Sequence, residues 1–348
     1  MIDHVLSYDG LAGIGQVACD EVGQPTQIYY APTTTVAGAF PGQKCEAIVR
    51  GVAPGQGGLF LESDTGEDLF LSNARSTKLL EGQRCQVLCV ASARRGKIAC
   101  VRLNRDDDAA FLSARDAWIA GVTGGDEVRV IDTSDAHIQI DEILEALCTL
   151  TTTLPSGGRL TISPTEALVA VDIDTAGRKA RGNRAETAHS INLEAAAELA
   201  RQIAVRDLGG AVVLDCVAPL SKVRGQAVRG TFLNTFSGVS NRTVDALAPS
   251  KFGLMEIAIA WGRQPIYERL LDQNGQILPD TELWRGLRFL ECEAAQRRTD
   301  RLALELPKDA FDLFQIKRAD YMQRIQARFG ARVDVVQSPR NRIEVASL

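Results

Sequence analysis

Hydrophobic and polar positions fall into short runs in the first part of the chain and lengthen into helical stripes further on. Residues 1–40 read as short strands with turns, among them DEVGQPTQIYY. Between 41 and 104 come KCEAIVRGV, GGLFLES, EDLFLS, QRCQVLCVAS and KIACVRL, separated by Gly, Pro, Asn or charged turns. Five short strands so spaced predict a small closed barrel of OB type. In 105–150, DDDAAFLSARDAWIAG reads as helix, EVRVIDT as strand and IDEILEALCTL as helix. The turn LPSGG precedes two strand-like runs, RLTISP and EALVAVDID. In NLEAAAELARQIAVRD (192–207), Leu193, Ala196, Ala200 and Ile203 form one helical stripe with Asn192 as its N-cap. LGG stops that helix, and AVVLDCV (211–217) reads as a buried strand. Strand, helix and strand in this order make a βαβ unit whose strands run parallel. Further on, the pattern predicts a helix over 221–237, a strand near 241–248 and a helix from about 253. GQILPD breaks the pattern, 281–305 reads as an arginine-rich helix, and the tail gives a helix through KRADYMQRIQARFG, a strand RVDVVQ and a loose end.

Three aspartates stand out. Asp172 and Asp174 are two apart at the end of an otherwise apolar strand, so their carboxylates share one face. Asp215 ends AVVLD in the same way. Ligand sites in α/β sheets lie outside the carboxyl ends of parallel strands, where convergent carboxylates need a cation between them. Magnesium, bound by one or two carboxylates while keeping several waters, suits that geometry. Taken singly, each aspartate could equally be a strand-end cap or an arginine's partner.

The 348 residues carry 39 Lys and Arg against 44 Asp and Glu, a net charge of −5, which argues against a generic nucleic-acid binder. Local fields, however, guide a ligand into a cleft. RKARGNR places Arg178, Lys179, Arg181 and Arg184 just after the Asp172 strand; Lys222, Arg224 and Arg229 follow Asp215, then Arg242 and Lys251. Such a cluster could track phosphates or be a solvated surface. Phe60 and Phe70, on barrel strands, could stack on bases or fill a core. His189 reads as a structural residue in the lead to the helix. The 8 cysteines include no C-x-x-C pair, Cys85 and Cys89 share a strand face, and no zinc is expected. No apolar stretch approaches membrane-spanning length and MIDHVLSYDG lacks a signal-peptide pattern, so a cytoplasmic protein without membrane association is expected.

DIDTAGR followed by ETAHSINLEAAAELARQIAVRDLGGAVVLD resembles the central catalytic segment of the ribonuclease E/G family. LPSGGRLTISPTEAL resembles the family's lead-in, and LRFLECEAAQRRTDRLALELPKDAFDLF with RIQARFGARVDVV its small domain. The resemblance implies an α/β multidomain protein: N-terminal strands (1–40) packing on the catalytic region, an S1-type OB-fold barrel (41–104), a mixed RNase H-like and DNase I-like catalytic region (105–280) and a small C-terminal α/β domain (281–348). It implies a magnesium-dependent endoribonuclease acting on single-stranded RNA, manganese able to substitute, with Asp172 and Asp215 holding the ion and acting in catalysis. Asp174 stands where the family usually has asparagine and is a third candidate ligand. The resemblance assigns RNA contact to Phe60 and Phe70, and the residues just named as basic, Arg178, Lys179, Arg181, Lys222, Arg224, Arg242 and Lys251, are candidates for the same role. The family's 5′-monophosphate sensor insertion and zinc-linking cysteines have no counterpart here, so a zinc-linked oligomer is not expected; another homo-oligomer, such as a dimer through the arginine-rich C-terminal helices, stays open. The family's basic run after KFGLMEI is replaced by AIAWGRQP. The alternative is therefore an RNA-binding protein of the same lineage with weak or lost catalysis.

Overall fold

The computed structural model describes residues 2–32, 38–53, 55–72, 77–104, 111–177 and 182–348. It opens with β1 (His4–Gly10), β2 (Gly13–Cys19) and β3 (Pro25–Pro32), an antiparallel meander. Next come β4 (Lys44–Ala53), β5 (Gly58–Ser63), β6 (Asp68–Leu71), β7 (Arg84–Ala91) and β8 (Ala99–Leu103), which close into a barrel of order β4-β5-β6-β8-β7. Its β6–β8 pair is parallel and its other pairs antiparallel, a topology compatible with an OB fold. Alternation fills the interior with Val49, Leu59, Leu61, Leu69, Leu71, Val87 and Val101.

Helix α1 (Ala114–Thr123), β9 (Arg129–Ile131) and α2 (Ser134–Leu147) follow, and β9 returns to pair in parallel with β1. The chain then builds β10 (Thr151–Thr153), β11 (Arg159–Pro164), β12 (Val169–Asp174), α3 (Arg184–Val205), β13 (Gly210–Asp215), α4 (Lys222–Val239), β14 (Val244–Ala246) and β15 (Leu254–Ile259). These six strands form one sheet in the order β10-β11-β12-β13-β15-β14. The expected βαβ unit is present, with β12 and β13 parallel. Val169, Val171, Ile173, Val212, Leu214, Met255, Ile257 and Ile259 are buried in one core with the apolar stripes of α3 and α4. Ala170, Asp172, Ala211, Asp215, Glu256 and Ala258, of opposite parity on their strands, are exposed. The sheet therefore has a covered face and an open one.

Short α5 (Ile266–Leu270), α6 (Pro279–Gln296), β16 (Leu302–Leu306), α7 (Lys308–Ile316), α8 (Arg318–Phe329), β17 (Val333–Gln337) and β18 (Glu344–Ser347) complete the chain, with β16 between parallel β17 and antiparallel β18. Their core is continuous with that of the N-terminal sheet: Leu283, Trp284 and Leu287 of α6 cluster with Tyr8, Tyr30 and Ile140. Arg285 and Arg288, two of this helix's arginines, face α2, where they pair with Glu145 and Asp141.

Four expectations require correction. The segment from 253 is strand β15 rather than helix, because its alternating Met255, Ile257 and Ile259 fill the sheet core. Helix α3 starts at Arg184, eight residues before the expected cap, under a capping box formed by Asn183 and Glu186. The 281–305 helix stops at Gln296, and LALEL becomes β16, whose two flanking strands satisfy its backbone. The expected loose end contains β18.

Candidate functional site

The parallel register pairs Val171 with Leu214, so Asp172 and Asp215 each stand one residue beyond that pair, side by side on the open face. Neighbouring strands run about 4.8 Å apart, close enough for two same-face carboxylates to approach one small cation. Both aspartates are exposed, and neither has a hydrogen-bond or ion-pair partner among the described residues. Two adjacent like charges without a counter-charge repel each other, and a bound cation would relieve that repulsion.

Asp174 lies on the same face, two residues further on. Its Oδ1 accepts from the Ala176 amide at 2.9 Å and its Oδ2 from Arg159, the cross-strand neighbour, at 3.0 Å. The Ala176 amide, and then the Arg159 guanidinium, hold its carboxyl below the usual carboxylate range. Asp174 thus has partners that, among the described residues, Asp172 and Asp215 lack. Among the described residues no three Asp, Glu, His or Cys side chains converge as a metal-binding group.

The backbone around Asp215 is held from two sides. Asn192 of α3 is fully buried; its Oδ1 accepts from the Val217 amide at 2.8 Å and its Nδ2 donates to the Val217 carbonyl at 2.9 Å. The helix thereby fixes the segment leaving β13. Asn192 was read from sequence as a helix cap; it is instead a clamp in the third turn of α3. On the other side, Gly253 accepts from the Cys216 amide at 3.0 Å. Its φ of +88° is a left-handed conformation, and a Cβ there would lie 3.2 Å from the Cys216 carbonyl oxygen and 3.8 Å from Asp215 Oδ1. Glu256, paired with Val213 in β15, shares the open face with Asp215. Sequence reasoning missed its placement because it assigned this segment to a helix.

The predicted basic residues divide into two groups. Lys222, the first residue of α4, is exposed, and Lys251 lies in the β14–β15 turn beside the strand end that carries Asp215. Arg224 instead donates to the Ala185 carbonyl and Arg229 to that of Ala246. Arg242 donates to the carbonyls of Leu208 at 2.7 Å and Ile203 at 3.2 Å, at the end of α3, and burial pushes its guanidinium below its usual range. It sits near Gly210, at the opposite end of β13 from Asp215, about 17 Å away at the usual rise per residue. Arg178, Lys179 and Arg181 lie outside the described residues. His189 is within α3 rather than before it, half-buried, with Nδ1 enclosed and unpartnered.

On the barrel, Phe60 and Phe70 are direct cross-strand partners on its outer surface. Their ring centroids are 5.7 Å apart, and Phe60 is 41% exposed. All eight cysteines are free thiols. Burial pushes Cys45 up to about 11 and Cys216 up to about 12. Among the described residues no helix is long and apolar enough to cross a membrane.

A model of the ribonuclease E/G family matches residues 113–260, the stretch from α1 through β15 that contains both aspartates. Ribonuclease E of Haemophilus influenzae is 32% identical over 230 residues, covering 60% of this chain and 23% of that protein. Ribonuclease E of Escherichia coli is 35% identical over 144 residues, 41% of this chain and 13% of the relative. The chloroplastic ribonuclease E/G-like protein of Arabidopsis thaliana is 40% identical over 81 residues, 23% of this chain and 8% of the relative. The chain thus aligns with less than a quarter of the length of each of these three.

Proposed function

The chain belongs to the ribonuclease E/G family, and from that premise we propose that it is a magnesium-dependent endoribonuclease that hydrolyses phosphodiester bonds of single-stranded RNA in the cytoplasm. The observation that carries this reading is the pair Asp172 and Asp215: exposed, in parallel register, on the open sheet face and without other partners among the described residues. Two such carboxylates would hold a hydrated magnesium or manganese ion, leaving the remaining positions to water and phosphate oxygens. When bound, that ion supplies Lewis-acid stabilisation of charge developing on the phosphoryl oxygens and makes water more acidic.

The chain's own residues position the substrate. Lys222 and Lys251, near the strand ends, attract the phosphate backbone. Arg224 and Arg229 brace the chain near the site through the Ala185 and Ala246 carbonyls, whereas Arg242 holds the far end of β13. Asp174, engaged by Arg159 and Ala176, holds the turn that leaves β12 and serves the ion only through the charge it adds nearby. We read the barrel as S1-type, with Phe60 and Phe70 stacking on bases away from the cut. The α/β region between combines RNase H-like and DNase I-like parts, and 281–348 is the small C-terminal domain.

Incubation of labelled single-stranded and double-stranded RNA with magnesium, and then with chelator, tests the proposal. It predicts cleavage of the single strand alone, lost with chelator and in Asp172→Asn and Asp215→Asn, while both variants still bind RNA. Cleavage by the two variants at the wild-type rate would refute it. Undiminished binding with no cleavage by the wild type would instead favour an RNA-binding role.

A further inference from the structure

Phe252 is 76% exposed, the most exposed phenylalanine among the described residues, and its backbone sits in a hydrogen-bonded turn. Ser250 organises its turn: its Oγ accepts from the Phe252 amide at 3.2 Å, its carbonyl from Gly253 at 2.9 Å, and its amide donates to Leu254 at 2.9 Å. The next residue, Gly253, is bonded to Cys216, and Leu254 is the cross-strand partner of Asp215. The backbone of Phe252 therefore lies two residues from the cross-strand partner of Asp215. Lys251 Nζ lies 5.0 Å from the ring centroid, so a cation accompanies the aromatic surface. Leu247 and Leu254, on the same hairpin, are 58% and 38% exposed and widen the apolar surface. A Cβ added at Gly225 would lie 3.4 Å from Pro249 Cδ, so the hairpin runs beside the first turn of α4, where Lys222 lies.

The fold explains the glycine and the serine of this turn, whereas among the described residues the phenylalanine ring meets only Lys251. An exposed aromatic face with a lysine beside it matches one nucleotide: the base stacks on the ring and the ammonium meets the phosphate. We propose that Phe252 is a stacking platform for a single base of single-stranded RNA, that of a nucleotide adjoining the phosphate held at Asp172 and Asp215, with Lys251 contacting its backbone. This rests on the nuclease reading for its substrate class. It also adds to the barrel's Phe60 and Phe70 a second, separate aromatic contact, one that sets which nucleotide lies at the cut.

The test uses the full chain with a short single-stranded oligoribonucleotide carrying 2-aminopurine at each position in turn. Binding and quenching are read in chelator, where nothing is cut, and the cut is then mapped on the same oligonucleotide with magnesium. Phe252→Ala is expected to bind about tenfold more weakly and to lose quenching at one position next to the mapped bond, while Phe252→Tyr retains both. An abasic nucleotide at that position should make wild type and Phe252→Ala bind equally. Wild-type binding and an unchanged quenching pattern in Phe252→Ala would overturn the stacking proposal and leave the nuclease reading standing. The expected quenching in a protein that never cuts RNA would support the stacking and overturn the nuclease reading. No RNA binding by the wild type would overturn both.

Discussion

Replacing Asn192 by alanine removes both hydrogen bonds that fix the segment after Asp215. The site is fully buried, and the Val217 amide and carbonyl lose the partner that α3 supplies. A buried polar group left unpaired costs about 1–3 kcal/mol, and partial access of water to half-buried Val217 trims the sum, so a loss of about 2–4 kcal/mol is expected. Asn192→Asp separates the two bonds, since a carboxylate accepts from the Val217 amide but cannot donate to its carbonyl. It also buries a charge, so it should be at least as damaging as alanine. Urea unfolding followed by circular dichroism gives the stability, and single-turnover cleavage under conditions where each variant remains folded gives the rate. Displacement of Asp215 by about 1 Å should lower the rate about a hundredfold, with RNA binding in chelator little changed. A stability loss under about 0.5 kcal/mol, or a rate equal to wild type, would refute the claim that Asn192 positions the site.

Four shorter predictions follow from the same structure. A Cβ at Gly58 would lie 2.3 Å from Phe70 Cζ and 2.7 Å from the Leu71 carbonyl oxygen. Gly58→Ala should therefore tilt the Phe70 ring and weaken RNA binding in chelator about as much as Phe70→Ala does, by about 1–3 kcal/mol. Arg206 is buried and donates to Gln202 at 2.6 Å and to the Leu147 carbonyl at the end of α2 at 3.2 Å; burial pushes its guanidinium down to about 10. Arg206→Ala should lower stability by about 2–4 kcal/mol in urea unfolding without changing RNA affinity. Asp174→Asn keeps the acceptor for Ala176 and loses only an exposed ion pair, so urea unfolding should give a midpoint close to that of wild type. With its carboxyl depressed in the folded state, any stabilisation from Asp174 is present above the unfolded carboxylate range and fades as pH falls through the folded value; a titration by NMR with a midpoint above the ordinary aspartate value would contradict this.

The sequence reveals Asp172 and Asp215 because strand alternation alone tells which residues share a face and where an apolar run ends. The barrel was legible for the same reason: five runs of period two with turn residues between them. What hid β15 and β16 was composition. LMEIAI and LALEL are rich in Leu, Met, Glu and Ala, good helix formers, and only their neighbours in the sheet make them strands. The true start of α3 was encoded, in the Asn183–Glu186 capping pair, but its polar first turns do not register as an apolar stripe until Ala188. The basic residues were hardest. An arginine that caps a carbonyl, as Arg224, Arg229 and Arg242 do, looks the same in sequence as one left for a phosphate. The exposure of Phe252 likewise depends on a turn conformation set by Ser250 and Gly253, not on hydrophobic pattern.

The most direct measurement of the central claim is anomalous diffraction from crystals of the full chain soaked in manganese. A single peak within coordination distance of carboxylate oxygens from both Asp172 and Asp215, absent in Asp215→Asn, is the predicted result. A manganese ion bound elsewhere, with the two carboxylates turned apart and touching no common ion, would contradict it.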